Sequence, residues 1–185
     1  MLLCLCGGTG VGKDSILKVL TDKYGYEKIV TYTTRPMREG EIDGVDYHYI
    51  DKKVFDSLCA GDFFAETTSY KVINDEVWEY GTAHKDLAPN KIVILNPSGL
   101  KELKKDKSLD ILAIYLYASY GEIWNRLRQR GDNLDEVTRR LEADKKDFDD
   151  INEYVDFAIR TDGQYSKDEI ANLINYLYER SKHTK

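Results

Sequence analysis

A glycine-rich segment near the amino terminus constrains the fold of this chain more than any other feature. Residues 2–6 form a short apolar run, residues 7–12 contain four glycines, and a helical pattern follows over residues 13–23. Glycines between a buried strand and a helix allow backbone N–H groups to turn toward phosphate oxygens, where the helix N-terminus adds positive potential. The segment therefore predicts a phosphate-binding loop. The alternative interpretation is a tight glycine turn without a ligand.

A lysine at the start of the predicted helix adds a charge to this loop. Lys13 follows Gly12, a position from which its ammonium group can bridge the β- and γ-phosphates of ATP. A carboxylate, Asp14, stands where such loops usually carry a hydroxyl. The predicted ATP-binding residues are Gly7, Gly8, Thr9, Gly10, Val11, Gly12, Lys13, Asp14 and Ser15.

Alternating strand and helix patterns predict the architecture of the rest of the chain. Short runs rich in Leu, Ile and Val occur at residues 2–6, 28–31, 92–95, 111–117 and 155–159. Helical patterns occupy residues 13–23, 99–105, 120–130, 134–151 and 166–180. This alternation is typical of an α/β fold in which helices cover both faces of a parallel core sheet.

Two segments interrupt the alternation. Residues 33–85 contain hairpin-like patterns, including two strand-like runs joined by Asn74 and Asp75, and predict an inserted antiparallel lobe. Glycine and polar residues at 131–133 separate two arginine-bearing helices and predict a mobile helical lid. We therefore divide the single domain, residues 1–185, into a core (1–32, 86–119 and 152–185), an acceptor-binding lobe (33–85) and a lid (120–151).

Composition and charge exclude several classes of protein. With 185 residues and 42% hydrophobic residues, the chain is long enough to bury a core of its own. The net charge of −6 disfavours nucleic acid as a partner. No apolar run is long enough to span a membrane, and the N-terminal run is too short for a signal peptide, so we expect a cytoplasmic protein.

The three cysteines fit the same expectation. Cys4 and Cys6 alternate with leucines in a predicted strand, and Cys59 stands alone. This spacing predicts buried structural thiols, since a reducing compartment keeps cysteines free. A metal or redox pair formed by Cys4 and Cys6 is the alternative.

The motifs of the chain together resemble the guanylate kinase family. They are, in order, the phosphate-binding loop, TTRPMREGEIDGVDY, DFFAE, EYGT, LRQRGD and RRL. The family shares the pattern T-T-R-x-x-R-x-G-E-x-x-G-x-D-Y, and the resemblance covers most of the chain. It implies a P-loop NTPase fold in which the inserted lobe binds a nucleoside monophosphate and the helical lid closes over the site.

The resemblance also assigns acceptor-binding residues within the inserted lobe. Two arginines and two tyrosines would hold the phosphate of GMP, because guanidinium groups form charge-assisted pairs with a dianion. Glu66 would accept hydrogen bonds from the N1–H and the exocyclic amine of guanine, whereas adenine offers an acceptor at that edge. The predicted GMP-binding residues are Thr31, Arg35, Arg38, Tyr47, Glu66, Tyr80, Thr82 and Ser98.

The lid region supplies arginines that would act on the transferring phosphoryl group. The resemblance implies that Arg126, Arg130 and Arg140 are the family's lid arginines, and together with Lys13 they are the predicted catalytic residues. Catalysis of this transfer is mostly electrostatic stabilisation, which such charges provide. Arg126 and Arg130 lie four residues apart and share a helix face. A solvated basic stripe is the alternative interpretation. Arg139 is left out of the set, since adjacent residues on a helix point in different directions.

The chain departs from the family pattern after its third core strand. The family usually has L-D-x-D there, whereas this chain reads Leu95, Asn96, Pro97 and Ser98. The lid is one residue shorter than usual, and the hairpin over residues 70–79 is longer. Asp14 is therefore interpreted as a Mg²⁺ ligand that replaces a carboxylate lost at Asn96, since Mg²⁺ prefers oxygen ligands. Its alternative role is that of an acid favoured in the first turn of a helix.

These observations predict an enzyme that transfers the γ-phosphoryl group of ATP to GMP or dGMP with Mg²⁺ as cofactor. The expected partners are ATP and GMP or dGMP, with neither nucleic acid nor a membrane, and the expected state is a monomer or homodimer. One alternative is a P-loop kinase of the same fold that acts on another nucleotide or on a phosphorylated sugar. Another is a non-catalytic guanylate kinase-like module that binds proteins, against which Lys13 and the lid arginines argue.

Overall fold

The computed structural model describes residues 1–71, 76–163 and 165–183 of the chain. The elements, in chain order, are β1 (Leu2–Gly7), α1 (Lys13–Tyr24), β2 (Glu27–Lys28), β3 (Tyr32–Thr33), β4 (His48–Tyr49), α2 (Lys52–Ala60), β5 (Phe64–Lys71), β6 (Val77–Ala83), β7 (Lys91–Leu95), α3 (Pro97–Leu103), β8 (Ile111–Tyr117), α4 (Tyr120–Gln129), α5 (Leu134–Asp147), β9 (Phe157–Arg160) and α6 (Lys167–Lys182). Short 3₁₀ turns follow β6 and α5.

A parallel sheet forms the centre of the molecule. Within the described ranges it has five strands in the order β2, β7, β1, β8, β9. Leu3 and Leu5 of β1 pack into one buried cluster with α1 and α6, whereas Cys4 and Cys6 face a second cluster that includes α3. Each fully buried leucine contributes about 1.5–3 kcal/mol to folding. The prediction of a parallel sheet covered on both faces is confirmed.

The two N-terminal cysteines are structural in this fold. Cys4 and Cys6 are fully buried free thiols, and Cys59 is an exposed one. Burial raises the pKa of Cys6 to about 12 and also raises the pKa of Cys4 well above its ordinary value. The prediction of buried structural thiols is confirmed at both positions.

A second sheet extends from one side of the core. Four strands of the described chain form it in the order β4, β3, β6, β5. β6 pairs antiparallel with both β3 and β5, but β3 and β4 are parallel. The predicted antiparallel lobe is confirmed for these two pairs, and the β3–β4 edge differs because residues 34–47 loop back and place β4 beside β3 in the same direction.

Several predicted element boundaries change in the structure. The strand predicted at residues 28–31 is limited to β2, because the chain then leaves the core and β3 joins the second sheet. The helix predicted at residues 134–151 ends at Asp147. Helix α2 was not predicted from the sequence. It begins after Asp51, whose side chain accepts a hydrogen bond from the Val54 N–H, and it buries Phe55. The turn predicted at Asn74 and Asp75 lies outside the described residues.

The helices of the fold are too short or too polar to cross a bilayer. In the described parts of the chain, none of them combines the length and the apolar character that a membrane span requires.

Candidate active site

A cavity of about 560 Å³ lies at the carboxyl ends of β1 and β7, facing the second sheet. This edge of a parallel sheet is where open α/β proteins bind their ligands. The cavity brings together most of the predicted site residues. They are Gly7, Thr9, Lys13, Asp14, Thr31, Arg35, Arg38, Tyr47, Glu66, Tyr80, Arg130 and Arg140.

The phosphate-binding loop connects β1 to α1 along one wall of this cavity. Gly10 and Gly12 have φ angles of 75° and 94°, which favour glycine. Gly12 caps α1 without a side-chain hydrogen bond, so the first N–H groups of the helix remain available for an anion. Lys13 Nζ donates to the carbonyl oxygens of Gly7 and Gly8, at 2.7 and 2.8 Å.

Burial sets the charge balance around the loop lysine. Desolvation lowers the pKa of Lys13, while the negative charges of Asp14 and Asp144 oppose this shift. The Asp14 carboxylate is exposed and lines the cavity beside Lys13. In the described part of the chain, no three or more His, Cys, Asp or Glu residues are arranged so that they could hold a metal ion by themselves. Mg²⁺ held at Asp14 would therefore take its other ligands from phosphate and water.

An arginine and a ring of aromatic side chains form the far wall. Arg35 is only 4% exposed, and its Nη2 donates to Glu41 at 2.8 Å. Its guanidinium lies 5.3 Å from the centre of the Tyr47 ring. This hydrogen bond from Arg35 lowers the pKa of Glu41 to about 2, so Glu41 remains ionised and orients the arginine. Glu41 was not among the predicted site residues.

A buried carboxylate lies in the middle of the cavity. Glu66 is 4% exposed, and its Oε1 accepts from the Thr82 hydroxyl at 2.5 Å. Its Oε2 is buried and has no hydrogen-bond partner in the described structure. Desolvation raises the pKa of Glu66 to about 7, although the Thr82 hydrogen bonds oppose this shift. An unpaired buried carboxylate oxygen is costly, so this oxygen is the strongest single indication of a ligand that donates hydrogen bonds.

Two predicted acceptor residues, Thr82 and Ser98, do not line the cavity. Thr82 is fully buried, does not line the cavity and bonds Glu66. The Ser98 hydroxyl lies 2.9 Å from Thr68 Oγ1 and also bonds Asn96. The structure therefore gives Thr82 the position of a residue that orients Glu66. The direct contacts of Thr82 and Ser98 with GMP stay predictions.

The predicted lid arginines occupy different surroundings. Arg140 lines the cavity, and its Nε donates to Glu136 at 2.8 Å. Arg130 pairs with Asp132 at 3.4 Å and is 65% exposed. Arg126 lines a second cavity, of about 420 Å³, on the outer side of the loop. It donates to the carbonyl oxygens of Gly10, Val11 and Thr161, so it ties the loop to the strand end at β9.

The prediction that Arg139 points away from Arg140 is wrong. Arg139 lines the main cavity together with Arg140, because Glu136 accepts from both guanidinium groups and draws them to one side of α5. Hydrogen bonding to a shared carboxylate thus overrides the angular separation of adjacent residues on the helix. The planar guanidinium group of arginine carries five N–H donors, which suits it to hydrogen bonding with a carboxylate that a second arginine also contacts.

The sequence of this chain matches the model of a known family. The family model described as Guanylate kinase matches residues 1–177. The chain belongs to the guanylate kinase family. Guanylate kinase of Sulfurimonas denitrificans is 34% identical over 171 residues, covering 87% of this chain and 80% of that protein. Guanylate kinase of Syntrophotalea carbinolica is 27% identical over 182 residues, with coverages of 94% and 84%.

The fold of this guanylate kinase family member also matches a solved structure. The crystal structure of guanylate kinase from Anaplasma phagocytophilum aligns with a TM-score of 0.72 and 21% sequence identity, covering 100% of this chain and 87% of that chain. At this identity the likeness supports the fold alone. The predicted P-loop α/β fold is confirmed.

The departure at Asn96 has a clear structural role in this guanylate kinase family member. Asn96 Oδ1 accepts from the Gly99 N–H at 2.8 Å and caps α3. Asn is a favoured residue before the first turn of a helix, and Pro is favoured at the first helical position. Its Nδ2 donates to Thr68 Oγ1 at 2.7 Å and connects α3 to β5. An amide serves both bonds, whereas a carboxylate lacks the donor for the second.

Other cavity residues were missed by the sequence interpretation. Thr68 pairs with Tyr80, and Tyr70 pairs with Trp78, across β5 and β6. All four side chains line the cavity, because paired residues in adjacent strands point to the same face. The sequence could have indicated Tyr70 and Trp78, because side chains alternate between the two faces of a strand. Tyr70 lies on the same face of β5 as Glu66, and Trp78 lies on the same face of β6 as Tyr80. Asp144 of α5 also lines the cavity and had no such signal.

Proposed function

We propose that this chain transfers the γ-phosphoryl group of ATP to GMP or dGMP, forming ADP and GDP or dGDP. The observation that supports this assignment best is the unpartnered Oε2 of Glu66, which is buried in the cavity that also contains Lys13. Guanine offers two N–H donors at one edge, and an ionised carboxylate accepts both. The distribution of charge fits a reaction between two phosphate-bearing substrates.

The loop provides the donor-phosphate site in this proposal. Backbone N–H groups at the start of α1 bind phosphate oxygens, and Lys13 adds a charge beside the β- and γ-phosphates. Mg²⁺ bound with ATP would neutralise part of the charge that develops during transfer. Asp14 would hold this ion, because its exposed carboxylate lies at the loop.

The second sheet and the lid provide the acceptor site and the remaining positive charge. Arg35, Arg38, Tyr47 and Tyr80 line the same part of the cavity and would bind the acceptor phosphate. Arg130 and Arg140 would stabilise the transferring group. No protein atom forms a bond to phosphorus, so these residues act through position and charge.

A screen of acceptors tests the assignment. Purified protein with Mg²⁺ and ATP is supplied in turn with GMP, dGMP, AMP, CMP, UMP and ribose 5-phosphate, and ADP formation is measured. We expect GMP or dGMP to give the highest kcat/KM, at least about 100-fold above AMP, because adenine leaves the Glu66 oxygen unpaired. Preference for a sugar phosphate, or no turnover with any acceptor, would overturn the proposal.

The role of Asp14 yields a separate prediction. Asp14→Ala is expected to raise the Mg²⁺ concentration for half-maximal activity severalfold, and to reduce the Mg²⁺ dependence of ATP binding measured by calorimetry. Asp14→Ser combined with Asn96→Asp is expected to recover more activity than Asp14→Ser alone. Unaltered Mg²⁺ dependence in Asp14→Ala would leave Asp14 as a helix-terminal acid.

The control for this prediction is Asp22→Ala, which removes the same charge from the exposed end of the same helix. Asp22 pairs with Lys18 at 2.9 Å, so its loss tests only the change in overall charge. Mg²⁺ dependence in Asp22→Ala is expected to match that of the native protein.

A cytoplasmic location belongs to the same proposal. All three cysteines are free thiols, two of them in the core. A reducing compartment maintains thiols in this state, whereas oxidising compartments favour disulfides. ATP and guanine nucleotides are substrates available in that compartment.

A further inference from the structure

A carboxylate of helix α5 contacts the phosphate-binding loop directly. The backbone N–H of Thr9 donates to Asp144 Oδ2 at 2.6 Å. A Cβ atom at Gly8 would lie 2.8 Å from the same oxygen, so the absence of a side chain at position 8 leaves space for the carboxylate. The proposed phosphoryl transfer does not use Asp144.

The electrostatics of this contact resemble those of a bound phosphate. Asp144 accepts from a loop N–H and, like Asp14, lines the cavity together with the partly buried Lys13, so it places negative charge near the ammonium group. A phosphate oxygen at a glycine-rich loop has the same two functions. The Asp144 carboxylate lies at the loop that would receive the donor phosphates, and repulsion between the two anions disfavours their presence side by side.

We propose that Asp144 is an intramolecular competitor of the donor phosphates and thereby sets the affinity for ATP. In the free protein the Asp144 carboxylate accepts the hydrogen bond of the Thr9 N–H. ATP binds when a movement of α5 takes this carboxylate away from the loop. The apparent affinity for ATP equals the intrinsic affinity multiplied by the fraction of molecules in which the carboxylate is withdrawn from the loop. This inference rests on the proposed function, in which the loop binds ATP.

The same helix links this contact to the acceptor side of the cavity. Arg139 and Arg140 project from α5 into the cavity, and Asp144 lies one turn further along. Withdrawal of Asp144 therefore also frees the helix that carries the two arginines. The competing interpretation is that Asp144 is a ligand of Mg²⁺, which predicts that Asp144→Ala binds ATP more weakly than the native protein in the presence of Mg²⁺.

Calorimetric titration of the full chain distinguishes these cases. The native protein, Asp144→Ala and Glu142→Ala are titrated with tripolyphosphate in EDTA, and with ATP both in EDTA and in excess Mg²⁺. Glu142 is an exposed acid on the same helix, so its replacement controls for net charge. We expect Asp144→Ala to bind both ligands about tenfold more tightly, and Glu142→Ala to bind within about twofold of the native protein.

Each outcome of this titration decides the question. Equal or weaker metal-free binding in Asp144→Ala overturns the inference, and an equal gain in Glu142→Ala attributes the effect to net charge and also overturns it. Failure of the native protein to bind ATP in the presence of Mg²⁺ refutes the proposed function instead. Asp144→Asn, which keeps an acceptor oxygen without the charge, is expected to fall between the native protein and Asp144→Ala. It serves as the test if the alanine variant does not fold.

Discussion

Lys13→Ala is expected to lower kcat by about 10²–10³-fold while the protein remains folded. Loss of one preorganised charge beside the transferring phosphoryl group reduces the rate by a factor of this size. The Lys13 ammonium donates to the Gly7 and Gly8 carbonyls, so two backbone acceptors lose a partner on substitution. Removal of a desolvated charge offsets part of that cost. Steady-state kinetics with saturating ATP and GMP, together with thermal unfolding, measures both effects.

The matched control is Lys18→Ala on the same helix. Lys18 is exposed and pairs with Asp22, so its loss is expected to leave kcat unchanged and to reduce stability by at most about 0.5 kcal/mol. Native turnover in Lys13→Ala would favour the interpretation of the chain as a binding module. Loss of the unfolding transition in Lys13→Ala would instead show that the lysine is required for the fold.

Glu66→Gln is expected to reduce the ratio of kcat/KM for GMP over AMP by about 10²-fold. The glutamine amide keeps one acceptor oxygen, but its NH₂ group meets the N–H donors of guanine and leaves them unpaired. The Thr82 hydroxyl can still donate to the remaining oxygen, so folding is expected to survive. Parallel kinetics with GMP and AMP measure this ratio, and an unchanged ratio would exclude base reading by Glu66.

The pKa of Glu66 provides a second measurement. Since burial raises the pKa to about 7 and only the ionised form accepts both guanine donors, KM for GMP is expected to fall as pH rises through 7. The same shift lowers the stability of the free protein as pH rises from 4.5 to about 7, because the native state holds the proton more tightly than the unfolded state. Both pH dependences are expected to disappear in Glu66→Gln.

A glycine beneath the carboxylate offers an independent variant. A Cβ at Gly99 would lie 2.6 Å from Glu66 Oε2, so Gly99→Ala is expected to displace the end of this flexible side chain and raise KM for GMP without abolishing folding. Gly121→Ala is the matched helical control, since a Cβ atom at Gly121 would have open space around it. Equal KM values in the two variants would contradict the placement of Glu66 at the acceptor.

The sequence by itself determined the parallel core sheet, the phosphate-binding loop and the position of Lys13. The sheet follows from strand and helix patterns that alternate along the chain, and the loop from a buried strand, glycines and a helix start within the first 13 residues. The clustering of Arg35, Tyr47 and Glu66 was predicted through the family resemblance, and the structure brings them to one cavity. Direct contact with GMP remains a prediction for each of them.

Only the tertiary structure decided which side chains share a carboxylate and which reach the loop. Arg139 turns into the cavity because Glu136 binds it together with Arg140, and Asp144 meets Thr9 across 135 positions of sequence. Neither contact follows from helix periodicity, because periodicity gives the face of a residue but not what packs against that face. Contacts between distant elements depend on how α5 lies over the loop, and the packing of the whole domain fixes that arrangement.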